Sequence, residues 1–463
     1  MSRPSYQLTK YPLGSLRECW TISWPLILSL LSFSVMLFTD RILLSRHSVT
    51  ELNAAAAAGT ACWLFLVMPV SIAAISEVFV GRYHGENRLH ELGKPVWQMI
   101  WFSLIASPIL WLVGTFGPPL LFFGSPNIHE ETTYFSTILV FTPVILANIA
   151  VTGFFVGSGR VKIVTVCAII TNIINIGLDY LLIYGYKWIP SLGIFGAGIA
   201  TGLCELVQLL LFLSFFFKKS NRENHGTLDY SFDKRLFSES LRIGFPAGLG
   251  IAIEISAHFI FFKAMIYAGQ ENLTIAAMVQ SLYFLIFFIY EGLSKGVTTI
   301  CANLLGGKQK GYIKQVLISA SSIHAIFFLI LSSLILFNSD HIIDYFLNQQ
   351  DENLIVTPHF LNVVHWGIFF MCLFFLFDGL TRILAGHLTA AGDTKFLLYA
   401  GTVLNLVAYV LPIFLIIFYA EGGADDAWMI IFSCSVMTFS VYLLRYISNK
   451  WEVASAILEQ SES

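Results

Sequence analysis

Charge is scarce in this sequence. Asp, Glu, Lys and Arg together make up 12% of its 463 residues, about half of the roughly 25% found in soluble globular domains. With 56% hydrophobic residues and a mean hydropathy of +0.74, the chain has more apolar surface than a soluble core can hide. A water-soluble fold is excluded. Paired cysteines are missing too. Cys19, Cys62, Cys167, Cys204, Cys301, Cys372 and Cys434 are scattered with no CxxC, so they read as small apolar side chains rather than disulfides or metal ligands. No HExxH, Walker, nucleophile-elbow or kinase signature occurs, and neither an enzyme nor a resident cofactor is expected. GIFGAG at Gly193–Gly198 has no preceding strand and no following GK[ST], so it reads as the start of a closely packed helix. The net charge of −3 says little, because the distribution of charge matters more than its sum; nucleic acid is not an expected partner.

Long apolar runs are what the sequence does have. A helix needs about 20 apolar residues to cross a ~30 Å hydrocarbon core. Twelve runs qualify, near 20–45, 53–81, 96–116, 132–157, 161–185, 193–217, 240–268, 272–302, 315–337, 357–391, 396–420 and 425–447. Lipid-facing backbone must satisfy its own hydrogen bonds, so the expected class is an all-α polytopic membrane protein. The N-terminus is polar through Arg17 and the first run is too long for a signal h-region, so no cleaved signal peptide is expected.

Lys and Arg gather in alternate loops: Arg3, Lys10 and Arg17; Arg82, Arg88 and Lys94; Arg160 and Lys162; Lys218 to Arg235; Lys308 to Lys314; Arg445 and Lys450. The intervening loops hold only Arg46 and Lys187, and Asn338–Glu352 carries acids alone. By the positive-inside rule, both termini are expected in the cytoplasm and the chain in the plasma (inner) membrane. The one long polar interruption, Lys218–Phe237, divides the chain into an N-terminal lobe (1–217), a linker (218–238) and a C-terminal lobe (239–463). The halves resemble each other. A shift of 221 places Pro25 on Pro246, Leu52 on Leu273 and Gly85 on Gly306; a shift of 233 places Gly153 on Gly386, Gly159 on Gly392, Lys162 on Lys395 and Asn172 on Asn405. Six helices per half keep equivalent helices parallel, so the halves form a parallel pseudo-two-fold repeat with a site between or within the lobes.

Charged groups at membrane depth are expensive and by default mark ion or substrate sites. Asp40 lies sixteen residues beyond Trp24, about 24 Å along a helix. Asp179 lies a similar distance from Lys162, and Asn175 precedes it by four, on the same helix face. Thr201 falls at compatible depth in the sixth run. Asp40, Asn175, Asp179 and Thr201 can therefore converge as oxygen ligands for Na⁺ or for a shared proton, with Asp40 and Asp179 the carboxylate ligands if the ion is Na⁺. Polar residues also serve as plain interhelical hydrogen bonders; that reading suits Asn172 or Thr201 alone, and two carboxylates at one depth favour a site. In the second half Glu254 and Asp378 are the comparable pair, a possible cation or substrate site, with a structural ion pair to Lys263 or Arg382 as the competing reading. Glu291 and Lys295 are spaced to pair on their own helix, and Glu77, near the inner end and close to Arg82, is expected to snorkel to the interface. Pro25 is either a hinge in the first helix or an ordinary tolerated proline.

In combination these segments resemble the multidrug and toxic compound extrusion (MATE) transporters. The resemblance rests on Pro25 followed by Asp40, FVGRYHGENRLHEL (79–92) and its counterpart CANLLGGKQKGYI (301–313), GSGRVK (157–162), NIINIGLDYLLIYG (172–185), GIFGAGIAT (193–201), LRIGFPAGL (241–249) and DGLTRILAGHLTAAGDTK (378–395). It implies twelve helices in two six-helix lobes around a central cavity, and cation-coupled export of small organic compounds. It also implies cation or proton roles for Asp40, Asn175, Asp179 and Thr201, as in the DinF-like branch, and for Glu254 and Asp378, as in the NorM-like branch. Arg41, Lys263 and Arg382 depart from the family pattern by adding positive charge. The expected protein is an H⁺- or Na⁺-coupled antiporter that exports organic compounds, expected to be cationic or amphipathic, acting as a monomer in the lipid bilayer. The rivals are a lipid-linked precursor flippase of the same superfamily, which would use those added cations, and a non-transporting receptor or scaffold.

Overall fold

A computed structural model describes residues 7–347, 357–420 and 422–462. Arg3, and the part of the Asn338–Glu352 loop beyond residue 347, lie outside the described residues. Among the described residues, eleven helices are long and apolar enough to span a bilayer, and a bent pair taken as one span makes a twelfth. We number them α1 (Leu16–His47), α2 (Val49–Gly85), α3 (Leu89–Phe116), α4 (Ile128–Val140 with Thr142–Gly157), α5 (Val161–Tyr184), α6 (Gly193–Phe216), α7 (Lys234–Ala268), α8 (Gln270–Gly306), α9 (Lys310–Phe337), α10 (Pro358–Ala390), α11 (Thr394–Tyr419) and α12 (Ala424–Ile447). All twelve apolar runs are helices, and no strand is present among the described residues. The chain is a multi-pass membrane protein.

Local chemistry sets where these helices start and bend. Ser15 caps α1 by accepting from Glu18 N, Asp233 caps α7 by accepting from Arg235 N and Leu236 N, and Thr357 caps α10 by accepting from Phe360 N. Each satisfies an amide that the helix start would leave open. The two parts of α4 meet at 47°, and Pro143 follows the break at Phe141. A proline cannot donate back into the preceding turn, so the helix restarts there in a new direction.

The chain folds into two lobes, α1–α6 and α7–α12, that share one core at one end only. At the Lys/Arg-rich end, hereafter the basic end, a single cluster joins Ile22 (α1), Phe79 (α2), Phe154 (α4), Ile300 (α8), Val316 (α9), Leu384 (α10) and Tyr442 (α12). At the opposite end the packing divides. Phe261, Tyr283, Phe360 and Trp428 belong to a core of the second lobe; Leu66, Phe135, Leu44 and Ile183 belong to cores of the first. The molecule is thus sealed at its basic end, with separate cores at the other.

Glycine makes the seal. Lipid gives little reason for helices to associate by burial alone, so close backbone packing must hold them. A Cβ on Gly85 would overlap the Asn303 carbonyl, and one on Gly306 would overlap the Arg82 carbonyl. This explains why the 221 shift preserves that pair: each glycine admits the other lobe's helix. Gly159 and Gly392, matched by the 233 shift, both adopt positive φ (+71° and +79°), where other residues are strained. Arg82 reaches across the seam, its Nε and Nη2 donating to Ala390 O at 3.2 and 2.9 Å. Glu77 does not snorkel to the interface, as its position near the helix end suggested. It is buried and accepts from Thr299 Oγ1 of the other lobe at 3.1 Å.

The linker docks on the first lobe. Trp97 and Trp101 Nε1 donate to the carbonyls of Thr227 and Tyr230 at 3.0 and 3.1 Å. Lys94 pairs with Asp233 at 2.9 Å, and Arg160 holds Asn221 and His225.

Candidate functional site

The first-lobe site is built by α1 and α5, stitched together along their length. Thr165 Oγ1 donates to Pro25 O at 2.6 Å, Asn172 Nδ2 to Ser32 Oγ at 2.7 Å, and Tyr184 OH to Leu43 O at 2.7 Å. Asn172 is thus the interhelical hydrogen bonder that its sequence position allowed. These bonds set the register that places Asp40 opposite Asp179, close enough for the two carboxyl groups to interact. Both acids are buried, Asp40 at 9% and Asp179 at 0% exposure, and Asn175 is at 0%.

The polar atoms of this site are unsatisfied. Asp40 Oδ1, both carboxylate oxygens of Asp179, and Oδ1 and Nδ2 of Asn175 are buried without a partner of hydrogen-bonding geometry. Orphaned buried polar atoms are rare in folded proteins, and here they meet at one place. Arg41 is exposed and acts on Asp40 at a distance rather than by contact. Thr201 lies on the face of α6 that also carries Ala197 and Cys204. Its hydroxyl donates to Ala197 O at 3.1 Å, which leaves its lone pairs available. Tyr134 of α4 and Cys204 of α6 stand beside the same acids. Neither carries a charge or a spacing that sequence reading could pick out.

The second lobe gathers a different cluster. Arg382 on α10 donates from Nε to Asp378 Oδ2 at 2.8 Å, from Nη2 to Glu254 Oε1 at 3.3 Å, and from Nη1 to Glu291 Oε2 at 3.5 Å. Its Nη2 also lies 3.4 Å from Tyr283 OH, and its guanidinium stacks 4.7 Å from the Phe287 ring centroid. Glu254 and Asp378 are thus brought together, but around an arginine. Lys263 takes no part: it is exposed, over the Phe259 ring. The intrahelical pair of Glu291 with Lys295 does not form. Glu291 turns to Arg382 across the lobe, while Lys295 faces Glu77. A helix-spacing argument sees only partners on one helix; here the stronger donor came from a neighbour.

Among known proteins, the MatE family model matches residues 25–181 and again 246–415. The two matches begin at Pro25 and Pro246, the positions that the 221 shift superposes. A curated relative, "Probable multidrug resistance protein NorM" of Photorhabdus laumondii, is 25% identical over 395 residues, covering 83% of this chain and 84% of its own. Two solved structures share the fold, each with a TM-score of 0.86 at 16% identity and covering 98% of this chain and 99% of theirs. One is a MOP superfamily transporter from Pyrococcus furiosus, the other an outward-facing multidrug resistance MATE family transporter of the MOP superfamily. With the family model matching most of the chain in two repeats, and the two-lobed fold shared, this protein belongs to the MatE family of membrane transporters.

Proposed function

We propose that this protein is a secondary antiporter that exports small organic compounds, driven by H⁺ or Na⁺ bound at Asp40 and Asp179. The observation that carries the reading is the acid pair itself: two buried carboxyl groups facing each other, with orphaned oxygens and no base in contact. Such a pair is stable only when it holds a proton or a cation. Its donor set, carboxylate and carboxamide oxygens from Asp40, Asp179 and Asn175 with Thr201 alongside, is hard oxygen chemistry suited to either ion.

Loading the pair would favour the state sealed at the basic end, in which substrate leaves on the other side; unloading toward the basic end would reset the cycle. A membrane potential adds about 2.3 kcal/mol per charge per 100 mV. Pro25 would act as the hinge of α1, since its carbonyl is already held by Thr165 of α5 and its nitrogen frees the preceding turn. In this reading the protein works as a monomer in the inner membrane, with its basic end and both termini cytoplasmic. Of the three added cations that the flippase alternative would use, Arg382 is held by three carboxylates rather than presented to an anionic lipid.

Dye efflux in everted vesicles, under a pH gradient and separately under a Na⁺ gradient, tests the proposal. Wild type should export under at least one gradient and Asp40→Asn under neither. Full-rate export by the variant under either gradient would sink the coupling role of Asp40.

A further inference from the structure

Each lobe carries a short helix beyond its sixth span. The linker helix (Lys219–His225) follows α6, and a helix at Trp451–Glu462 follows α12. Their docking sites match. The 233 shift carries Phe154 onto His387, Gly159 onto Gly392 and Arg160 onto Asp393. In the first lobe Phe154 packs edge-on against Phe216 of α6 and His225 of the linker helix, and Arg160 binds Asn221 and His225. In the second lobe His387 packs edge-on against Tyr446 of α12 and against Trp451, with ring centroids 5.6 and 4.5 Å apart, and Asp393 binds Arg445. Leu458 covers Gly392 so closely that a Cβ there would overlap its side chain. The Trp451–Glu462 helix is therefore the second lobe's counterpart of the linker helix. Each grips the turn that follows the fourth span of its lobe.

The second grip bears on the seam between the lobes. Ala390 lies between the two gripped points, His387 and Gly392, and its carbonyl takes both bonds from Arg82 of the first lobe. Ile243 of α7 also lies against Gly392, and its neighbour Gly244 lets α7 meet Ile72 of α2 across the lobes. Trp451, Ser455 and Leu458 are buried and share one face of their helix, while Val453 and Ile457 on the other side stay exposed. Trp451 and Leu458 join the one core that spans both lobes at the basic end.

The two grips differ in chemistry. The linker helix is tied down by hydrogen bonds from Arg160. Under the Trp451 helix the polar groups go unpaired. His387 is fully buried with neither ring nitrogen bonded, and Trp451 Nε1 is buried without a partner. Unpaired buried polar atoms disfavour the docked state, and water would satisfy them on release. Apolar contact thus holds this helix on while its polar atoms favour letting go, which suits a catch better than a permanent brace. We propose that the Trp451–Glu462 helix is a releasable catch on the basic end. Docked, it fixes the Ala390 segment that Arg82 holds and keeps the seam shut. Undocked, it frees that segment and the seam parts. The proposal concerns the seam alone and does not rest on the antiport reading.

Maleimide labelling of the full-length protein in detergent tests it, on two single-cysteine versions. One keeps Cys19, buried at the seam against Val316 O; the other keeps Cys372, buried in the separate core of the second lobe. Trp451→Ala and Leu458→Ala should each speed Cys19 labelling about fivefold or more and leave Cys372 within about twofold, as a local opening requires. His387→Phe keeps the ring contact with Trp451 and removes the unpaired nitrogens, so it should leave the Cys19 rate unchanged or lower it. An unchanged Cys19 rate in both alanine variants overturns the catch. So does a Cys372 rate that rises in step with Cys19, which assigns the helix to general stability. Faster Cys19 labelling in His387→Phe overturns it too.

Discussion

The two lobes answer the same problem, acids inside a membrane, in opposite ways. In the first, Asp40 and Asp179 face each other with no base in contact and several oxygens unpaired. In the second, Asp378, Glu254 and Glu291 converge on the guanidinium of Arg382. The repeat that relates the lobes does not relate these clusters: the 221 shift carries Asp40 onto Phe261, a core residue packed edge-on against Trp428. On the antiport reading proposed above, the first lobe takes its ion from solution, whereas the second carries its counter-ion on the Arg382 side chain. A duplicated architecture thus carries unlike acid clusters in its two halves.

The largest expected effect is on transport in the first lobe. Asp179→Asn should abolish gradient-driven efflux as completely as Asp40→Asn, and the double variant should be no worse than either, because the pair acts as one unit. Retention of more than half the wild-type rate by Asp179→Asn would break the contrast between the lobes.

Stability should show the reverse pattern. Arg382→Met leaves three carboxylates without their cation. Breaking a buried ion pair costs about 3–5 kcal/mol, and with Glu254 and Glu291 at 39% and 32% side-chain exposure solvent screening reduces this to about 2 kcal/mol. Thermal unfolding in detergent should start several degrees lower, with partial recovery on adding Glu254→Gln. Asp40→Asn replaces a carboxyl group that no basic side chain contacts, so its Tm should hold or rise. An equal fall in both variants would erase the distinction drawn here.

A smaller effect is expected at the seam that both lobes share. Gly85→Ala forces a methyl group onto the Asn303 carbonyl, an overpacking cost of about 1–3 kcal/mol borne only by the state sealed at the basic end. The sealed population should fall about tenfold relative to the alternative. Cys19, buried against Val316 O of the second lobe, reports it: maleimide labelling should speed up in Gly85→Ala, and an unchanged rate would mean the seam does not open there.

The smallest effect concerns the linker, bound to the first lobe by Trp97, Trp101 and Arg160. Burial and, after it, the neighbouring Arg160 guanidinium hold the His225 imidazole below its usual 6.5. An undocked histidine therefore takes up a proton that the docked one refuses. Docking should be at full strength above about pH 6.5 and weaken as pH falls toward the docked value. Tryptophan fluorescence should shift in wild type between pH 7.5 and 5.5, and His225→Gln should remove most of that shift.

Much of this molecule could be read along the chain. The twelve spans, the break between halves and the glycine and proline matches of the repeat depend on runs of side-chain type, which a one-dimensional pattern preserves. Asp40 stood out because a carboxylate in an apolar run is conspicuous whatever surrounds it, and the four-residue spacing of Asn175 and Asp179 holds on any helix. The partners were not legible. Glu291 chose Arg382 over Lys295, Glu77 turned inward to Thr299 instead of snorkelling, and Asn148 joined Glu205 and Gln208. Each pairing depends on how one helix is rotated and pressed against another, at seams where glycine lets backbones touch. Sequence determined which residues reach membrane depth and on which helix; only the tertiary packing decided which charges meet a counter-charge, because that depends on contacts between segments far apart in the chain.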